Sequence, residues 1–308
     1  MFGLSNVSFC PESWVTEDKL CETKYLANTM RQLSDIFSEF DKFEFSILST
    51  QEGNITPAIK RTDKKNVLIW ISDEFGANPN HLSQKYDYIF KSYISHVDSN
   101  ISPFPLGYVT EVPEFPYKNI LTQRKYNVFF SGNLNYNRNI FYLSLCRKLR
   151  KILPSVVNPR YLINHHTKEY ILKIKSQFDQ NFPSPSIIRF TTKFKTGFSP
   201  EEYGKILSDT KIVLCPKGFH STECYRHYEA MRAGCIIISE RLPDTYLYKD
   251  SPIIQIENWN NIYDIINNLL SDSSRLNELS HASREWYEQK LSEKATAERM
   301  KSILAKQI

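Results

Sequence analysis

The sequence predicts an α/β protein of two domains, each a sheet covered by helices. Three observations carry that prediction. Residues 211–240 read as strand, tight loop, helix, strand. Residues 66–71 (NVLIWI) and 126–130 (YNVFF) are short apolar runs of the kind buried in parallel sheets, and each passes directly into polar loop residues. The chain has 308 residues, enough for two cores, and a proline-containing stretch without period at 109–123 reads as the linker between them.

Composition narrows the function classes. A hydrophobic content of 41% with 13% aromatic residues indicates packed globular structure. The net charge of +5 is spread along the chain; it suits a phosphorylated ligand or contact with an anionic membrane surface and is too weak to argue for nucleic acid. No apolar run approaches the length of a membrane span, and residues 1–10 lack a signal-peptide pattern, so a cytoplasmic protein is expected. The six cysteines show no C-x-x-C and no zinc spacing and read as reduced thiols. With nine glycines and no G-x-G-x-x-G, G-x-x-x-x-G-K or G-x-S-x-G, the sequence disfavours a dinucleotide oxidoreductase, a P-loop enzyme and an α/β-hydrolase. H-E-x-x-H and D-x-D are absent as well, so no metal ligands are expected.

In the amino-terminal half, residues 24–40 put Leu26, Met30, Leu33, Ile36 and Phe37 on one helical stripe. Residues 43–48 read as a strand, the polar 51–65 as a loop, and 66–71 as the best strand of this half. Ser72, Asp73, Glu74, Phe75 and Gly76 follow. Ligands of open α/β sheets lie beyond the carboxyl ends of strands, which makes Asp73 and Glu74 candidates for a general base, Asp73 preferred. The alternative is an ordinary polar turn. Residues 86–92 are a further strand, and 101–108, with two prolines and a glycine, an extended edge or connector. His81 and His96 read as structural or exposed.

In the carboxyl-terminal half, the strand at 126–130 runs into Ser131, Gly132 and Asn133, with a helix from about 138 to 152. Glycine there lets backbone approach a phosphate, and Arg138 adds charge; a plain β–α turn is the alternative. His165 and His166 begin a polar stretch in which no acidic metal partner can be placed. Residues 186–192 form a strand followed by Lys193 and Lys195, which either reach phosphate or are solvated loop lysines. Ser199 caps a helix with Pro200 at its first position, running to about 208.

The central stretch carries most of the chemistry. The run 211–215 ends at Pro216, Lys217 and Gly218. Ser221 and Thr222 are residues of the capping type, and Glu223 suits the positive end of a helix dipole. At about 100° per residue, Thr222, Arg226, Glu229 and Ala233 share a stripe. A helix N-terminus with an arginine one turn in and a glutamate two turns in suits a nucleotide diphosphate: N–H groups and Arg226 on phosphate, Glu229 on a ribose diol. The alternative is an amphipathic helix with Arg226 and Glu229 as a surface pair. It explains less well why His220, Ser221, Thr222 and three charges crowd one junction. Gly234 ends the helix, and 235–239 is another buried strand. Beyond it, 252–256 reads as a last strand, and 259–270, 273–290 and 291–308 as helices.

The segment TECYRHYEAMRAGCIIIS resembles the donor-binding segment of exostosin-like glycosyltransferases. Arg226, Glu229, Ala230, Ala233 and Gly234 match its R-x-x-E-A and A-G pattern. The likeness covers about 126–259 and thins before that. It implies a GT-B fold, two Rossmann-like domains facing each other across a cleft: an acceptor-side domain over 1–110 joined by the helix 291–308, and a donor-binding domain over 124–290. It further implies an inverting transfer from a nucleotide-sugar, a UDP-sugar, to a hydroxyl of a glycan or lipid-linked glycan, without metal or other cofactor. The donor would lie on Gly132, Asn133, Arg138 and Lys193, on Gly218, His220 and Ser221, and on Thr222, Glu223, Arg226 and Glu229. Glu240 and Asp244 would stand near its sugar. By analogy such a chain works at the inner face of a membrane, in bacterial surface polysaccharide synthesis. Two other readings stay open: a non-catalytic sugar- or nucleotide-binding module, and an enzyme that modifies sugar nucleotides.

Overall fold

The computed structural model describes residues 3–59, 63–94, 98–119, 121–146 and 167–308. The chain divides into two compact units. Unit 1 comprises Met1–Thr110, Pro243–Asp250 and Tyr287–Ile308; unit 2 comprises Glu111–Leu242 and Ser251–Trp286. Pro243–Asp250 and residues 287–290 therefore group with unit 1, whereas the sequence places them in the domain 124–290.

Unit 1 is built on five parallel strands, β1 (Val7–Phe9), β2 (Phe43–Ser49), β3 (Lys65–Ile71), β4 (Tyr88–Lys91) and β5 (Ile101–Pro103), in the spatial order β1-β2-β3-β4-β5. Both faces are apolar, which is why 66–71 is an unbroken hydrophobic run. Val67, Ile69 and Ile71 join one core with Phe43, Phe45 and Ile47, while Leu68 and Trp70 join another with Leu48 and Ile89. On the first face lies α1 (Thr23–Ile36), whose buried stripe contains Leu26, Met30 and Leu33. The C-terminal helix Glu293–Leu304 packs on α1 through Ala297, Met300 and Leu304. The Tyr25 hydroxyl donates to Leu291 O at 2.8 Å and meets Thr296 Oγ1 at 2.7 Å, tying the two helices with buried hydrogen bonds.

Unit 2 is also a five-stranded parallel sheet: β6 (Tyr126–Asn133), β7 (Ser186–Thr191), β8 (Thr210–Cys215), β9 (Ile236–Glu240) and β10 (Ile254–Ile256), ordered β10-β9-β8-β6-β7. Its helices are α2 (Asn139–Leu145), α3 (Lys168–Ile174), α4 (Pro200–Ser208), α5 (Tyr225–Arg232), α6 (Ile262–Ser271) and α7 (Ser273–Trp286). Successive β6 residues face opposite sides. Val128 and Phe130 pack with Phe141, Phe190 and Trp259, and Phe129 packs with Phe198 and Tyr203. The capping box of α4 is complete: Ser199 Oγ accepts from Glu202 N, and the Glu202 carboxylate accepts from Ser199 N.

Several boundaries differ from the sequence reading. The first helix stops at Ile36, where Phe37 turns to extended backbone. Residues 136–138 form a 3₁₀ turn before α2, and 147–152 of the expected helix lie outside the described residues, as do His96, His165 and His166. The helix at 273 ends at Trp286, and Tyr287–Leu291 is one widened π-helical turn. The largest correction concerns α5, which starts at Tyr225 and not at Thr222. Ser221 Oγ accepts from Glu223 N, and Gly218 N donates to Ser221 O. These local turns take the groups that a helix would need. Cys224 is the cap residue instead, its own N–H accepted by His227 Nδ1 at 3.2 Å.

A candidate anion-binding site

The strand order of unit 2 reverses between β6 and β8: the chain leaves β6 for β7 on one side and returns to β8 on the other. Loops beyond the carboxyl ends at such a switch point diverge and leave room for a ligand. The two loops here, 134–138 after β6 and 216–224 after β8, are bound to each other. Asn135 Nδ2 donates to Gly218 O at 3.3 Å and Asn137 Nδ2 to Phe219 O, while the Tyr136 hydroxyl meets His220 Nδ1 at 3.2 Å. Asn135 Oδ1 also accepts from the N–H groups of Asn137 and Arg138, starting the turn that aims Arg138.

Two buried arginines converge on Gly132. Arg226, from α5, is 9% exposed; its Nη2 donates to Ser131 O at 2.6 Å, its guanidinium lies 4.9 Å from the centre of the Phe130 ring, and its Nε is buried without a hydrogen-bond partner. Arg138 donates from Nε to Lys217 O at 2.8 Å and from Nη1 to Asn133 O and Oδ1 at 2.9 and 2.7 Å, and it too stands over Phe130, at 5.9 Å. A Cβ at Gly132 would lie 2.8 Å from Arg226 Nη2 and 3.1 Å from Arg138 Nη1, so the glycine keeps the space into which both nitrogens reach. Arg226 Nη2 keeps one N–H beyond its bond to Ser131 O, whereas both N–H groups of Arg138 Nη1 go to Asn133, so Arg138 contributes charge there more than a hydrogen bond from that nitrogen. Burial weighs against the Arg226 charge, but Tyr203, Cys224, Cys215 and Glu229 around it outweigh that and hold its pKa above the ordinary arginine value.

Glu229 is 4% exposed, one turn along α5. A surface pair of Arg226 and Glu229 is thereby excluded, since both are inside. Burial, then the Glu229 charge, raise the Tyr203 hydroxyl far above its usual pKa, so this phenol stays protonated beside them. Asn133 faces Arg138 and positions it. Glu223 is buried, Ser221 and Thr222 are half-buried in the turn before α5, and Gly218 is buried. Lys193 is exposed in the turn after β7, where its carbonyl accepts from Thr191 and Thr196. Glu240 clamps two loops: its carboxylate accepts from Lys217 N and from Trp259 Nε1, both at 2.8 Å. Asp244 belongs to unit 1. Phe130 and Asn135 were not singled out in the sequence; an asparagine three residues before Arg138, at a helix start, was the available signal.

In unit 1, Asp73 and Glu74 end β3 as the sequence suggests, but their environments reverse the preference for Asp73. Asp73 is fully buried and paired with fully buried Lys91 at 2.8 Å, and its Oδ2 also accepts from Ala77 N at 2.7 Å. Lys91 Nζ lies 4.6 Å from the centre of the Trp70 ring. A carboxylate so enclosed has no access to a substrate proton. Glu74, half-buried, is the remaining carboxylate. Among the described residues no group of three or more His, Cys, Asp or Glu side chains gathers as metal ligands do, and no helix is long and apolar enough to cross a membrane.

No curated protein matches the chain. Solved structures match it at low identity. A GtfA/B complex shares 12% identity over 92% of this chain with a TM-score of 0.49, and the chain spans 61% of that one. Sucrose-phosphate synthase from Thermosynechococcus elongatus shares 11% over 96% of this chain and 81% of its own, with a TM-score of 0.46. Anabaena HepE in complex with UDP shares 10% over 89% and 82%, also with a TM-score of 0.46. At the level of families, residues 165–307 match the model of the RXYLT1 C-terminal domain, a stretch that includes β7 through the C-terminal helix.

Proposed function

We propose that the chain is a glycosyltransferase whose donor is a nucleotide-sugar, bound in unit 2. The observation that carries the reading is the convergence of Arg138 and Arg226 on Gly132 at the switch point of a parallel sheet. Two buried guanidiniums at one point repel each other, and an anion with several oxygens relieves that repulsion. A diphosphate has the charge and the oxygen count. The match to a xylosyltransferase-related domain supports sugar transfer, and a pentose fits that name as well as a hexose does.

In this reading a carboxylate takes the proton of an acceptor hydroxyl, whose oxygen attacks the anomeric carbon as the bond to the diphosphate breaks, inverting the centre. We assign the proton to Glu74. Negative charge grows on the leaving diphosphate, and the guanidiniums of Arg138 and Arg226 meet it without a divalent ion. The N-terminus of α5 adds its dipole. A glycan or lipid-linked glycan of a bacterial surface polysaccharide is the acceptor class we favour, and exostosin-like donor binding the nearest description of the segment around Arg226.

Thermal unfolding against UDP-, GDP-, CMP- and dTDP-sugars, with EDTA present, tests the donor. A ligand at a hundred times its dissociation constant adds about 2.7 kcal/mol. A shift with UDP-sugars, unchanged by EDTA and lost in Arg226→Ala, is expected. No shift with any of the four overturns the reading. The enclosure of Asp73 favours a second reading, a binding module without a base. It predicts that Glu74→Gln changes nothing measurable, whereas a transferase loses turnover in that variant and keeps its donor affinity.

A further inference from the structure

Cys224, His227 and Ser239 form a linked set beside Arg226, and the proposed donor site uses none of the three. Ser239 Oγ donates to Cys215 O at 3.2 Å, so its oxygen must accept from His227 Nε2, 2.8 Å away. That fixes the proton of neutral His227 on Nε2 and leaves Nδ1 as an acceptor. Nδ1 lies 3.2 Å from Cys224 Sγ. Nδ1 also accepts from Cys224 N at 3.2 Å, so the thiol shares this acceptor with its own backbone amide, on an imidazole whose far nitrogen is anchored by a third group, the arrangement that activates a nucleophile. A second, independent observation points the same way. The guanidinium of Arg226, nine-tenths buried with an unpartnered Nε, has its Nη1 3.9 Å from the same sulfur. Cys224 also caps α5, whose dipole favours negative charge there, and the residue is half-buried.

We propose that Cys224 is a nucleophilic thiol and the chain's site of covalent modification by small electrophiles, hydroperoxides among them. The thiol proton passes to His227 Nδ1. With a hydroperoxide, the sulfur attacks one oxygen, an S–O bond forms and the O–O bond breaks. Sulfur loses two electrons to the peroxide, giving a sulfenic acid, and the leaving alkoxide, or hydroxide from hydrogen peroxide, takes the proton back from the imidazolium as alcohol or water. The groups facing Cys224 agree in sign. A hydrogen bond from Cys215 in β8 is the largest influence, and against the opposing effect of burial the charges of His227 and Arg226 on α5 also lower its pKa, well below the usual thiol value; Tyr203 on α4 stays protonated.

The test is iodoacetamide labelling of the intact, folded chain at pH 6 and pH 8, with the rate at each cysteine read by peptide mass spectrometry. In this reaction the S–C bond forms as iodide leaves. Cys21, also half-buried, is the internal reference. An ordinary thiol reacts roughly a hundredfold faster at pH 8 than at pH 6. Cys224 is expected to change less than about threefold, and at pH 6 to outpace Cys21 at least about tenfold. His227→Gln is expected to restore the ordinary pH profile; if that variant does not fold, the wild-type profile decides alone. A Cys224 rate that follows Cys21 across pH, or no labelling at pH 8, overturns the proposal. No nucleotide enters the experiment, so its outcome is independent of the donor reading.

Discussion

A buried arginine and a buried aspartate do different work in the two units. Arg226 carries charge at a place kept open by Gly132, so removing it should hurt binding and turnover more than folding. Arg226→Ala is expected to lower turnover about a hundredfold or more, by analogy with the loss of one oxyanion donor. Steady-state kinetics with the donor that the unfolding assay identifies checks this, and unchanged turnover removes the role. Asp73 instead neutralises Lys91 where neither meets water. Asp73→Asn strands that ammonium and should cost about 3–5 kcal/mol in urea unfolding. Activity lost in that variant would follow from instability, which is why Glu74→Gln is the informative change for the base.

At the scale of elements, the loop after β6 depends on Asn135, which caps the turn into α2 and reaches across to the loop after β8. Asn135→Ala should cost about 1–2 kcal/mol, as lost caps do, and should also weaken nucleotide binding because Arg138 loses the turn that aims it. A melting curve with and without nucleotide separates the two effects. Elements whose cause is local were legible in the sequence. Ser199, Pro200 and Glu202 spell out the start of α4, and Gly234, at φ +66° with Tyr117 packed where a Cβ would stand, ends α5 and its cap residue. Where two local solutions compete, the sequence was misleading. Ser221 and Thr222 look like caps, yet the bonds of Ser221 close a turn, and a cysteine does the capping. Strand β1 is three residues long, too short to show any period. Burial of Arg226 and the pairing of Asp73 with Lys91 depend on neighbouring strands, which no window along the chain contains.

At the scale of the molecule, buried thiols set a limit on alkaline stability. Burial pushes Cys146 and Cys235 up to about 11 and Cys10 to about 12. An unfolded chain gives up these protons from about pH 9, while the folded one keeps them, so the stability present below pH 9 is lost as pH rises toward 11. Each thiol contributes a slope of up to about 1.4 kcal/mol per pH unit. Urea midpoints between pH 8.5 and 10.5 should fall accordingly, and Cys235→Ala should remove one proton's share of the slope. A flat profile would mean that these thiols ionise as freely in the fold as outside it.

Unit 1 is assembled from three separated stretches of chain, and the helix that covers α1 is the last of them. Ribosomal synthesis runs in the other direction from that dependence. All of unit 2 has been made before Ala297, Met300 and Leu304 exist to cover Leu26 and Met30. The domain that is begun first is thus the one that closes last, and through most of its synthesis it presents an open apolar helix face to whatever in the cell binds nascent chains.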